Sequence, residues 1–139
     1  MKIRYDFVTN SSSTSFVIIS DGEFNLKEFI DAVGINENSN FIDIYKELFY
    51  SFQSDMIPIR EVYETQSASY DTFDEFVEEY FWKSGKEMLP LILKAEENGK
   101  EVFTGQLSSD NNDVESFFCT DEFIIESKNL YINAQENGW

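Results

Sequence analysis

Glu122-Phe123-Ile124-Ile125-Glu126-Ser127-Lys128-Asn129-Leu130-Tyr131-Ile132-Asn133 reads as a hairpin, with Phe123-Ile124-Ile125 pairing with Leu130-Tyr131-Ile132 across Ser127-Lys128-Asn129. Working back from it, Asp113 to Phe118 suits a short helix and Val102 to Leu107 a strand. At the other end of the chain, Ile3, Tyr5 and Phe7 alternate with Arg4 and Asp6, the period of a half-buried strand. Phe16 to Ile19 is a short apolar run rich in β-branched residues, which fits a strand buried more deeply. The order is therefore two strands, several helices, one strand, a short helix and the closing pair. That order predicts an α+β fold, one mixed β-sheet with about four helices packed on it, in preference to a doubly wound α/β arrangement.

The helices are read from apolar spacing and end signals. Asn25 is placed to cap a first helix with Leu26, Phe29, Ile30 and Val33 on its apolar face. Glu28 is the far member of its capping box, and Gly34 is its stop. A second helix carries Phe41, Ile44, Tyr45, Leu48, Phe49 and Phe52 at helical spacing, with Ser39 or Asn40 as its cap. A third begins at Asp71, turns Phe73, Phe76, Val77, Tyr80 and Phe81 inward and ends near Gly85. A fourth spans Lys86 to Asn98 before Gly99, and Pro90 is tolerable there only in the first turn. Its apolar residues Met88, Leu89, Leu91, Ile92, Leu93 and Ala95 cover much of its circumference and predict a central position. Ile57 to Tyr63 stays open between strand and loop.

No Pro/Gly-rich linker and no internal repeat divides the chain, so residues 1–139 are expected to form a single globular domain. Aromatics make up 17% of it, with 14 Phe, enough for a core that needs neither disulfide nor metal. The lone Cys119 has no partner for an intrachain disulfide, and beside Phe117 and Phe118 it reads as a buried apolar thiol. Met1 to Val8 lacks the apolar run of a signal peptide, and no window approaches the roughly 20 apolar residues of a membrane span. A soluble cytoplasmic protein is the expectation.

Charge narrows the partners further. Against 10 Lys and Arg stand 27 Asp and Glu, a formal net charge of -17, with no His. Such a surface repels nucleic-acid phosphates and anionic membranes, so neither is an expected partner. A basic protein or a multivalent cation is what it would attract, and the plainer reading of the charge is solubility. The densest acidic stretch is the third helix, with Asp71, Asp74, Glu75, Glu78 and Glu79 around its aromatic face. The first three complement the helix dipole, and a solvated face explains the row. A sharper reading makes the row a mimic of DNA phosphates, set to fill the basic groove of a nucleic-acid-binding protein.

Thr9-Asn10-Ser11-Ser12-Ser13-Thr14-Ser15 is a run of small polar residues between the two opening strands. Its hydroxyls and successive amides could cradle an anion, which makes Asn10, Ser11, Ser12, Ser13, Thr14 and Ser15 candidate ligand-binding residues. A Gly-rich turn and a Lys are missing, so it is no P-loop. An ordinary connector whose side chains bond their own backbone is the plainer reading. Phe7 to Ile18 resembles the opening of a loose group of small uncharacterised bacterial and phage proteins. Those proteins begin with a short strand followed by Phe-Val-Thr-Asn, a serine run and Phe-Ile or Phe-Val. The resemblance covers about the first 18 residues, with Thr14 departing from the plain serine run, and implies a bacterial or mobile-element origin without an activity.

Asp110, Asn112, Asp113 and Glu115 gather oxygen atoms after a strand and are the candidate metal ligands, although they lack the Gly and distal Glu of an EF-hand loop. A turn capping the next helix competes with that reading, and zinc is implausible with no His and one Cys. Without His, a serine nucleophile would need a Lys or carboxylate base, and no motif supplies one. The expectation is a small acidic binding or regulatory protein acting through protein contacts, with no cofactor and no assigned catalytic residue. In its narrower form it blocks a basic nucleic-acid-binding surface. The alternatives are an enzyme or anion-binding domain built on the serine run, and a self-assembling structural component.

Overall fold

The structure, a computed structural model, describes residues 13–119 and 122–138, the side chains of 136–138 excepted. It is organised on β1 (Ser13–Ser20), which pairs with β3 (Glu101–Ser108) on one side and β5 (Leu130–Gly138) on the other. Phe16 and Ile18 bury into one cluster, Val17 and Ile19 into another, so both faces of this strand are covered. That is why residues 16–19 form an unbroken apolar run rather than an alternating one. β2 (Ile57–Pro58) and β4 (Phe123–Glu126) complete an open sheet in the order β2-β3-β1-β5-β4.

All four ladders are antiparallel, so the expected α+β class holds while the expected mixed sheet does not. Helical connections can return the chain at either end of a sheet, and periodicity carries no sign of which. The helices number six among the described residues, not about four. α1 (Leu26–Val33), α2 (Ile42–Asp55) and α6 (Asp113–Cys119) contribute to the cluster around Phe16. α3 (Ile59–Thr65), α4 (Phe73–Tyr80) and α5 (Gly85–Glu97) contribute to the cluster around Val17. The stretch left open in the sequence divides after Pro58, which ends a two-residue strand and is followed by α3.

Local signals place most boundaries. The Asn25 side chain accepts the Glu28 N–H at 2.9 Å, and Gly34 ends α1 at φ 80°. That left-handed backbone suits a glycine stop. α2 keeps only part of its expected face. Leu48, Phe49 and Phe52 fill the core as expected, whereas Phe41 precedes the helix and is 61% exposed, and Ile44 is also exposed. α5 departs twice. Pro90 lies beyond its first turn, leaving the Lys86 carbonyl without the intrahelical donor it would have met. Lys86 and Pro90 are both exposed, so water can take that carbonyl. Leu91 and Leu93 are exposed too, while Met88, Ile92 and Ala95 line the core with Gly85 and half-buried Leu89 packs against it. α5 is therefore peripheral, not central. The closing hairpin forms with Ile125 opposite Ile132 and Phe123 opposite Ala134. The alternating strand expected before Thr9 lies outside the described residues. No helix among the described residues is long and apolar enough to cross a membrane.

Candidate functional site

α4 starts on Thr72, whose hydroxyl accepts the Glu75 N–H at 3.1 Å. Its 3.6-residue period sends Phe73, Phe76 and Val77 into the core. Asp74, Glu75, Glu78 and Glu79 are left exposed, as the sequence pattern requires; Asp71, expected to open the helix, is exposed too but precedes the Thr72 cap. The helix is held firmly. The Phe76 ring lies 5.5 Å from both Tyr63 and Tyr70 and 5.1 Å from Tyr80, centroid to centroid. α5 approaches so closely at Gly85 that a side-chain carbon there would sit 2.6 Å from the Glu78 Cα. Burial pushes the Tyr80 phenol above its ordinary pKa, against the opposing pull of a hydrogen bond to Thr104.

The cations bordering this face are engaged elsewhere. Arg60 bonds both carboxylate oxygens of Glu96, at 2.8 and 2.9 Å, and its guanidinium lies 3.6 Å over the Phe73 ring. The bond to Glu96 raises the Arg60 pKa, with Asp74 adding a smaller pull. Lys83 reaches Glu122 at 3.5 Å and sits over Trp82. Among the described residues, neither Asp71 nor any of the four α4 carboxylates joins an ion pair. The result is a row of unneutralised carboxylates on a clamped helix, chemically suited to Lys and Arg side chains of another molecule.

The serine run is placed differently from expectation. Asn10, Ser11 and Ser12 lie outside the described residues, while Ser13, Thr14 and Ser15 belong to β1 and not to a loop. Their backbone is paired with β3 and β5 on both sides, so it cannot form an anion nest. The Thr14 hydroxyl is buried and donates to the Cys119 carbonyl at 3.3 Å, and the Ser15 hydroxyl accepts from Gln106 Nε2 at 3.4 Å.

The candidate metal set is also rearranged. Asp110 and Asp113 are exposed, whereas Glu115 is buried. One Glu115 oxygen accepts the Ser108 N–H at 2.9 Å and the Asn111 side-chain amide at 3.0 Å, and the other accepts the Asn112 side-chain amide at 3.1 Å. The Asn112 side-chain oxygen in turn accepts the Glu115 N–H at 2.8 Å, capping α6. Donors therefore face Glu115 where a cation would need oxygens. No group of three or more acidic, His or Cys residues among those described is arranged to hold a metal. The turn-and-cap reading is the one the geometry adopts.

Sequence reasoning missed Asp55, whose Oδ2 accepts the Gln106 N–H at 2.6 Å. Nothing local marks it, because its partner lies 51 residues away. It also missed a cavity of about 660 Å³, lined by Leu26, Lys27, Asp31, Asn38 and Lys46 among others. Lys27 there is tied to Asp31 at 2.9 Å and is largely exposed, so the cleft holds no concentrated charge. Comparison with protein families, curated proteins and solved structures finds no match to this chain.

Proposed function

We propose that this protein works by contact with a basic protein surface, and that the acidic face of α4 is its recognition element. The observation that carries the reading is the set of four exposed carboxylates, Asp74, Glu75, Glu78 and Glu79, on a helix clamped by aromatic packing and α5, with exposed Asp71 just ahead of its cap. Rigid presentation lowers the ordering cost of binding, and an unneutralised row speeds encounter with an opposite charge. The excess of 27 acidic over 10 basic residues supports the same class of partner. In the narrower form, the face occupies a groove that otherwise holds nucleic-acid phosphates. A bacterial or phage setting accords with the opening residues, and a cytoplasmic one with a single buried thiol.

The test begins with capture from bacterial lysate at low and raised salt, then titrates the isolated partner against two forms of this chain. One is the natural sequence, and the other carries Asp74→Asn, Glu75→Gln, Glu78→Gln and Glu79→Gln. The expected result is a loss of affinity of about tenfold or more in the neutralised form, together with weakening by salt. Equal affinity for both forms would sink the reading. Competition by DNA for the same partner distinguishes the narrower form from the general one.

A further inference from the structure

The two edges of the sheet are finished in opposite ways. On the β2 side, Pro58 interrupts a two-residue strand. Beyond it the outward amides of β3 are taken by side chains, Gln106 N–H by Asp55 and Ser108 N–H by Glu115. Proline and substituted hydrogen bonds are ways of closing an edge against another chain. At the other side, β4 pairs only with β5 among the described residues. The Ser127 N–H bonds the Leu130 carbonyl at 2.8 Å, which sets the phase of the ladder. Alternation from that bond directs the backbone groups of Phe123 and Ile125 to β5, and those of Ile124 and Glu126 outward.

Grooves flank this edge on both faces. One, about 500 Å³, is lined by Val33, Tyr45, Phe118 and Ile125. The other, about 390 Å³, runs past Glu87, Leu91 and Ile124, and Ile124 is 46% exposed. An incoming strand would alternate its side chains between these two grooves while its backbone met Ile124 and Glu126.

We infer that β4 is a strand-addition site for an extended segment of a basic partner, one in which apolar residues alternate with Lys or Arg. Charge selects that occupant. Glu126 ends the strand and borders the first groove, Glu87 borders the second, where Lys83 is tied to Glu122, and the chain as a whole carries -17. A second copy would bring two such charges together along identical edges. The site stands on the sheet edge and not on α4, so this inference and the acidic-face reading fail separately.

The probe is a synthetic peptide alternating Val and Lys, added to the whole chain while amide hydrogen exchange is followed by NMR. The expected result is exchange slowed about tenfold or more at the Ile124 and Glu126 amides, with little change elsewhere. A peptide alternating Val and Glu should give no slowing. Ile124→Pro removes an outward donor without touching the β5 ladder, and Ile124→Lys places a charge on an exposed position; both should abolish the slowing. The α4-neutralised form should retain it. No slowing at millimolar Val-Lys peptide overturns the inference. So does protection of these amides without peptide, which would put residues 1–12 on the edge if independent of concentration, or a second copy if not.

Discussion

Asp55 and Gln106 are joined by a hydrogen bond of 2.6 Å from backbone amide to carboxylate, where a neighbouring strand would otherwise bond. Glu115 does the same for Ser108 two residues further along β3. Two acids from different helices thus stand in for the strand that β2 is too short to supply.

Glu115→Ala should lower stability by about 1–3 kcal/mol, because the part-buried Ser108 amide and two Asn side chains lose their acceptor. Asp55→Ala should cost less, since Asp55 is exposed and water can reach Gln106. Urea denaturation measures both. The double variant should also self-associate more readily than either single one, by light scattering, because its edge is no longer closed.

Gly85 and Gly105 should not accept a methyl group. At Gly85 the added carbon meets the Glu78 backbone at 2.6 Å, and at Gly105 it meets the Phe16 ring at 2.6 Å and the Asp55 carbonyl at 2.7 Å. Backbone cannot swing aside as a side-chain tip can. Alanine at either position should lower stability by about 1–3 kcal/mol, despite the usual preference of helix and strand for Ala over Gly. Thermal melting gives the comparison.

Arg60 joins α3 to α5 through Glu96 and covers Phe73. Arg60→Ala should cost about 1 kcal/mol, an exposed pair adding little and the ring contact somewhat more. Arg60→Lys should recover only part, since an ammonium cannot bond both oxygens and lie flat on the ring together. Chemical denaturation of the three forms is the measurement.

Burial raises the Cys119 thiol from its ordinary 9.0 to about 11, with Thr14 opposing. The unfolded chain therefore loses this proton first. The thiol's contribution to stability is complete below about pH 9 and disappears as the pH climbs towards 11. Tyr80, raised by burial as well, acts in the same direction. Melting temperature should fall across that range, and less steeply in Cys119→Ala. A thiol reagent at neutral pH should react only on unfolding.

Much of the fold was legible because its signals are local. The Asn25 and Gly34 ends of α1, the inward faces of α1 and α4, the exposure of the α4 carboxylates and the closing hairpin rest on residues close together in the chain. The misreadings share a cause. Apolar residues at helical spacing say which face could be buried, not whether a layer lies against it, so Phe41, Leu91 and Leu93 looked internal and are not. Likewise the oxygen-rich loop at 110–115 resembled a cation site until its Asn amides were seen to point at Glu115.

By itself the sequence determined the class of the fold, the buried central strand and the acidic helix face, set by an unbroken apolar run, by the 3.6-residue period and by end caps. Tertiary structure alone decided strand order, strand direction, the division of helices between two faces and the closing of one sheet edge. Those depend on pairings such as the Thr104 hydroxyl with the Phe16 carbonyl, 2.8 Å apart across 88 residues of chain. A hydrogen bond of that kind is chosen by how whole elements pack, and no local pattern encodes it.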